Sequence, residues 1–446
     1  MTAGPENYSY EELEFAKNGS AVDPGQATKV GNLADTVTDL IVMSHGWNND
    51  MDEARSLYHD IAASFDAVRA QNSVDLGGRT LGIVGILWPS KRFADAELIP
   101  GGAAGIAVAD PTLSADLRSM SDAFSSDDAE ATLHHAAALT DELDDSPTAQ
   151  RKYADLLRSL VDRQHAEPAD APDEFFSMDG ADLMARLQKA VLTVMTQDIA
   201  SVERGGNAQA VGLDAVPAAG GDTGAAAGLG SALTHIWSQG RALLNFVTYY
   251  EMKTRAGTIG AKSVAPVLHQ QVAGRTRLHL LGHSFGARLV TATADKLPSP
   301  GRVTSMSLLQ AAFSHNSFAK DWAPGKDGGF RDMIDAGRVD GSLIVTHTRN
   351  DKAVGIAYAI ASSIAGQDAS AIGDASSPYG GLGSNGAQHT PEATDQQALQ
   401  DVAATYTFDR GKIYNLLADR FIAGHSDVRN VQVANAVLQV VTAIPR

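Results

Sequence analysis

The sequence predicts an α/β protein: a mostly parallel central sheet flanked by helices, interrupted by one inserted helical cap. Three observations predict it. Short apolar runs alternate with stretches of helical periodicity, the order expected of strand–helix–strand units. Most runs are too continuously apolar for strands with one wet face, so they read as strands buried on both sides. The spacing between runs suits a crossover helix everywhere except between Trp88 and Leu278, where the extra chain has its own helical pattern and most of the negative charge.

The first run is Asp39-Leu40-Ile41-Val42-Met43. Ala54, Leu57, Tyr58, Ile61, Phe65 and Val68 follow at helical spacing, with Asp50 and Glu53 as a capping pair. A second run covers Leu81 to Leu87. In the insertion, Ser146 and Pro147 suit the N-cap and first position of a helix carrying Tyr153, Leu156, Leu157, Leu160 and Val161 on one face. Leu183, Leu187, Val191 and Met195 mark another helix, and the Gly/Ala-rich stretch from Gly205 to Gly230 reads as a flexible connector. The core resumes with a helix near Ile236 to Thr254, the run Leu278 to Leu281, and a helix over Ala287 to Lys296 that Leu297-Pro298-Ser299-Pro300-Gly301 stops. Further runs are Val303 to Leu309, Leu343 to Val345 and Ile413 to Leu417, and the last helix is expected over Val428 to Val441. Val354 to Gly366 reads as a buried helix too short to span a bilayer. Gln367 to Thr405, rich in Ser, Gly, Ala and Asp, reads as a surface excursion. The expected division is therefore 1–93 and 236–446 as two parts of one core, with 94–235 as the inserted cap and the excursion at about 367–405.

The 446 residues are 44% apolar and 20% charged, ordinary for a globular protein and enough for a large core. With no cysteine, disulfides, thiolate nucleophiles and Cys-ligated zinc are excluded, so covalent catalysis would use oxygen or nitrogen. The net charge of −18 is concentrated: Ala94 to His235 holds 24 acidic against 8 basic residues, leaving 29 against 27 elsewhere. An acidic segment argues against nucleic acid or an anionic membrane as partner, since neither gains counterion release there. The first residues lack a signal-peptide pattern and no stretch of 18 residues stays apolar, so the expectation is a soluble, cytoplasmic protein with no transmembrane segment.

Gly282-His283-Ser284-Phe285-Gly286 stands between a strand-like run and a helix-like stretch, the context in which G-x-S-x-G forms a nucleophile elbow. A serine hydroxyl needs a histidine to take its proton and an acid to orient that histidine. His425 lies in a loop after the last run, and Asp351 lies just beyond Leu343 to Val345. His347 or His389 are the alternatives for the base, and Asp419, Asp340 or Asp335 for the acid. In an open α/β sheet the ligand crevice lies outside the carboxyl ends of the strands, so Ser284, Asp351 and His425 can converge, and they stand in Ser…Asp…His order. The loop after the first run, Ser44-His45-Gly46-Trp47-Asn48-Asn49-Asp50, can supply an oxyanion hole, with the N–H groups of Trp47 and Phe285 as donors. Gly46 allows close approach, His45 suits holding the loop through its ring nitrogens, and His283 suits packing beneath the nucleophile. Trp47, Trp88 and Phe285 are candidates to line an acyl pocket. Asn48, Asn49, Asp50 and Asp52 lack the spacing of a calcium loop and read as helix capping. No metal and no organic cofactor is implied.

On His45-Gly46, Gly282-His283-Ser284-Phe285-Gly286, Asp351 and His425, and on the order of elements between them, the chain resembles the α/β-hydrolase superfamily, in particular its lipase-like and esterase-like serine hydrolases. The resemblance covers roughly 1–93 and 236–446. It implies that fold, with a cap that shapes the acyl or alcohol pocket, since members often carry one at this place. A single His-Gly followed by Trp47 replaces the His-Gly-Gly-Gly run and looks like the other type of oxyanion loop. The activity implied is cleavage of carboxylic esters, in a small-molecule or acyl-ester substrate, through an acyl-enzyme. The same tetrahedral intermediate serves peptidase, thioesterase and acyltransferase chemistry. A non-catalytic binding or scaffold protein on the same fold is the reading from a different class.

Overall fold

A computed structural model describes residues 7–90 without Asn48 and Asn72, 113–161 without Asp144, 173–187, 239–298, 303–354 without Lys352, and 377–443, together with Tyr358, Ala361, Ile364 and Ala375. The chain divides into two compact units. The first comprises Met1–Lys91, Lys253–Val354 and Gly380–Arg446, and the second Arg92–Met252 and Gly355–Tyr379.

The first unit is of the α/β class and holds one eight-stranded parallel sheet. Its strands are β1 (Ser9–Glu14), β2 (Asp39–Ser44), β3 (Leu81–Leu87), β4 (Arg277–His283), β5 (Ser305–Leu309), β6 (Leu343–His347), β7 (Gln397–Ala398) and β8 (Ile413–Leu417), in the spatial order β1-β3-β2-β4-β5-β6-β8-β7. Strands β2, β3 and β5 are buried at every position, as continuous apolar runs covered on both faces require. Helix Met51–Ala70 begins with the expected capping box, Asp50 accepting from the Asp52 and Glu53 N–H groups while Glu53 returns to Asp50. Its buried face, from Ala54 to Val68, joins β2, β3 and helix Val431–Thr442 in one core.

Several elements differ from the sequence reading. Strand β1 and helix Gly25–Ala34 occupy an acid-containing stretch that carried no expected element. Strand β1 pairs on one side only, so its outward residues stay polar and no continuous apolar run marks it. The strand expected over Val303 to Leu309 begins at Ser305, Val303 making only an isolated bridge to Val339. The last helix starts at Val431, because Asn430 caps it by accepting from the Val433 N–H. The helix expected near Ile236 to Thr254 runs over Gln239–Ile259 and continues through a π-helical turn, Gly260–Val264, into Ala265–Gln271. Residues 380–387, inside the stretch expected as a surface excursion, are buried and include the short helix Leu382–Asn385. Residues 188–238, with Val191, Met195 and Gly205 to Gly230, lie outside the described residues, as do 299–302 and most of 355–376.

The regular secondary structure among the second unit's described residues is all helical. Pro147–Ser159 is capped by Ser146 as the sequence suggests, and buries Tyr153 and Leu157. The Tyr153 hydroxyl donates to the Gly240 carbonyl at 2.8 Å, tying this helix to the first turn of Gln239–Ile259. Phe175 packs on Phe246 with ring centroids 4.9 Å apart. Leu183 and Leu187 are buried in the helical residues 180–187, and Tyr358, Ala361 and Ile364 are buried too. No helix among the described residues is long and apolar enough to cross a membrane.

Candidate functional site

The site is set up by strand order. After β3 the chain recrosses β2 to form β4, so the carboxyl ends of β2 and β4 lie side by side where the winding direction reverses, the place at which open α/β sheets form a crevice. Register fixes the detail. Ser44 is opposite Gly282, and His283 is opposite Leu309, so the loops after β2, β4 and β5 leave the sheet at one level.

Ser284 stands between β4 and helix Phe285–Lys296, with φ 57° and ψ −124°. A residue with a Cβ is strained there, and backbone bonds hold it: its N–H donates to Leu309 O at 3.1 Å, and its carbonyl accepts from Ala287 N at 3.1 Å and Ala312 N at 3.2 Å. Three glycines make room. A Cβ on Gly282 would collide with the backbone of Gly286 and Ala287, one on Gly286 with the carbonyls of Ser44 and His45, and one on Gly46 would lie 2.5 Å from the Ser284 Cβ.

The other expected residues meet the serine. His425 Nε2 is 2.8 Å from Ser284 Oγ, and His425 Nδ1 is 2.8 Å from Asp351 Oδ2. A carboxylate only accepts, so Nδ1 carries the proton and Nε2 keeps a lone pair for the serine O–H. Asp351 is almost wholly buried, with its Oδ1 accepting from Val354 N at 3.0 Å. The alternatives are engaged elsewhere. Asp419 pairs with Arg349, Asp335 with Arg331, Asp340 with Arg410, and His389 Nδ1 bonds Asn316 Oδ1. His347 is buried at the end of β6, where burial lowers its pKa to about 4.

The loop after β2 is pinned through its carbonyls. The Trp88 N–H meets His45 Nε2 at 3.2 Å, which leaves the ring proton on Nδ1, and this donates to Gly46 O at 2.9 Å. Burial keeps His45 neutral, with a pKa lowered to about 4, and its ring stacks on Trp88 at 5.3 Å. Ser90 Oγ also donates to Gly46 O at 2.9 Å, and Trp88 Nε1 to His45 O at 3.2 Å. Because the peptide is planar and trans, pinning the Gly46 carbonyl turns the Trp47 N–H to the opposite side. Phe285 is the first residue of the helix after Ser284, so its N–H lies at the positive end of the helix dipole. The rings of Trp47 and Phe285 lie 5.9 Å apart. Trp88 and Phe285 are fully buried. Asn48 lies outside the described residues, Asp50 is a helix cap, and no cluster of three metal-ligating side chains exists among the described residues.

His283 does more than pack beneath the serine. Its Nε2 donates to the His425 carbonyl at 2.8 Å, and its ring lies 5.0 Å from that of His425. Burial, then the nearby His425, depresses its pKa to about 3, so it is a neutral tether. Asn350 holds the same loop by donating to the carbonyls of Asp419 and Ile422 at 3.0 and 2.8 Å. Sequence reasoning missed Asn350, Tyr58, Ser90 and Gln310. The Tyr58 hydroxyl accepts from His45 N at 2.9 Å, and Gln310 Nε2 donates to Asp351 Oδ2 at 3.1 Å. Gln310 carried one usable signal, its place directly after a strand run, but as a neutral amide it is no candidate acid or base.

No protein family, no curated protein and no solved structure matches the chain.

Proposed function

We propose that the protein is a serine hydrolase of the α/β-hydrolase type that cleaves carboxylic esters through an acyl-enzyme, with the second unit corresponding to the cap. The observation that carries the reading is the unbroken chain Asp351 Oδ2···His425 Nδ1 and His425 Nε2···Ser284 Oγ, 2.8 Å at each link, ending on a serine with φ 57° at a helix N-terminus. In this reading Ser284 Oγ attacks the ester carbonyl as His425 Nε2 takes its proton. The tetrahedral oxyanion is met by the N–H groups of Phe285 and Trp47, which are already oriented before charge develops. His425 then returns the proton to the leaving alcohol. Water, deprotonated by the same nitrogen, releases the acid and restores Ser284. Asp351 keeps the proton on Nδ1 and stabilises the imidazolium that forms in each half-reaction.

A fluorophosphonate probe tests this. The wild type is expected to be labelled, Ser284→Ala not at all, and His425→Ala at a rate lower by a factor of about 10³ or more. A folded wild type that takes no label would overturn the reading in favour of a non-catalytic binding protein. Turnover of p-nitrophenyl esters against the matching anilides then separates ester from amide cleavage.

A further inference from the structure

We infer that Gln310 is a positioning residue for the acid–base pair: its side-chain amide fixes the Asp351 carboxylate in the orientation that His425 uses. The inference rests on the hydrolase reading above. Gln310 is the first residue after β5 and is fully buried, with φ 44°. Its Nε2 donates to Asp351 Oδ2 at 3.1 Å and to Gly383 O at 3.0 Å, while its Oε1 is buried with no hydrogen-bond partner among the described residues. A left-handed backbone at a residue with a Cβ is destabilising, and so is an unpaired buried carbonyl. An apolar side chain of similar size would remove the second cost and glycine the first.

What the amide supplies is a hydrogen bond to the oxygen that also receives His425 Nδ1. With Oδ1 held by Val354 N, both carboxylate oxygens are fixed and the group cannot rotate away from the imidazole. The backbone of the same segment grips the nucleophile, because Leu309 O and Ala312 N bond Ser284 on either side of Gln310. One short turn thus sets the acid and the serine against a common frame.

Gln310→Met, which keeps length and bulk, and Gln310→Leu test the role with a p-nitrophenyl ester. The expected result is a fall of about tenfold in kcat/KM carried by kcat, since a carboxylate freed on one side no longer holds the imidazole in line with Ser284. In an Asp351→Asn background Gln310→Met should cost nothing further. Losses that simply multiply, or a folded variant with the wild-type rate, would overturn the proposal. The downfield proton resonance of His425 Nδ1–H gives a readout that needs no turnover. It should move in Gln310→Met, and an unchanged signal sinks the proposal even if Ser284 takes no label and the hydrolase reading fails by itself.

Discussion

Gly46→Ala tests whether the loop after β2 is the wall against which Ser284 works. The added Cβ would lie 2.5 Å from Ser284 Cβ, 3.1 Å from its Oγ and 3.2 Å from His283 Nδ1. Carbon atoms rest at about 3.5–4.0 Å, so roughly 1 Å of movement is required. The loop resists moving, because Gly46 O is held by His45 Nδ1, Ser90 Oγ and Asn49 Nδ2. The serine resists as well, through Leu309 O and Ala312 N. The softest response is a rotation of the Ser284 side chain away from His425 Nε2, which breaks the 2.8 Å contact. A misplacement of about 1 Å at the reacting atoms costs on the order of 10²-fold in rate, whereas overpacking costs about 1–3 kcal/mol of stability. The rate of fluorophosphonate labelling should therefore drop by about two orders of magnitude while the urea midpoint falls only modestly. Labelling at the wild-type rate by Gly46→Ala would show that the loop does not stand against Ser284, and the oxyanion assignment to Trp47 would go with it.

Two further outcomes concern stability. Asp39, fully buried at the start of β2, is bonded by Arg79, Arg277 and His279. Burial pushes its carboxyl up, but the hydrogen bonds from Arg277, His279 and Thr38 more than reverse this and hold it far below the ordinary range. Asp39→Asn removes the buried charge that Arg79 and Arg277 meet and should cost about 3–5 kcal/mol, read from urea midpoints, with the labelling rate of folded protein unchanged. The depressed carboxyl stabilises fully above its unfolded value of 3.8, so the gap between variant and wild type should hold from pH 7 to 5 and shrink below about pH 4. A gap that closes between pH 7 and 5 would refute the assignment. The buried neutral histidines act at higher pH. His45, His283 and His347 have pKa values depressed to about 4, 3 and 4, so below their unfolded value of 6.5 the unfolded chain binds protons that the fold refuses. Stability should fall as pH drops through 6, by up to about 1.4 kcal/mol per pH unit for each. His347→Leu should have a shallower slope than the wild type, and equal slopes would exclude His347 from this role.

That Ser284, Asp351 and His425 meet was legible in the sequence because a parallel sheet sends every strand's carboxyl end to one edge, so the loop that follows each apolar run is a candidate by position alone. Glycine spacing added the elbow. What stayed hidden depends on contacts between distant segments. Gln310 reaches Asp351 across 41 positions and carries no charge to draw attention. Residues 380–387 look like a solvated loop by composition, yet their small side chains are what lets the backbone pack under the acid: a Cβ on Gly383 would lie 2.7 Å from Gln310 C and 3.0 Å from Asp351 Oδ2. Gly/Ser-rich chain marks close packing there as readily as exposure elsewhere. Strand β1 was hidden for the opposite reason, since an edge strand need bury only alternate side chains.

The tethers also explain which feature of the fold the site depends on most. Each group is held by a segment from a neighbouring strand end: Ser284 by the turn after β5, Asp351 by the same turn, and His425 by His283 at the end of β4 and Asn350 after β6. Gly46, after β2, closes the row against the serine. A parallel pair that slipped by one residue would turn every side chain of a strand to the other face. Between β2 and β4 such a slip would replace Ser44 opposite Gly282 by Met43 or His45, moving Gly46 by a residue's rise of about 3.3 Å from its place against Ser284. The close fits at Gly46 and Gly286 exist only in the observed register, since they set the loop after β2 directly against the elbow. The glycines therefore lock register as well as admit the turn, and the strain at Ser284 persists because the pairing that imposes it lies at the centre of the sheet.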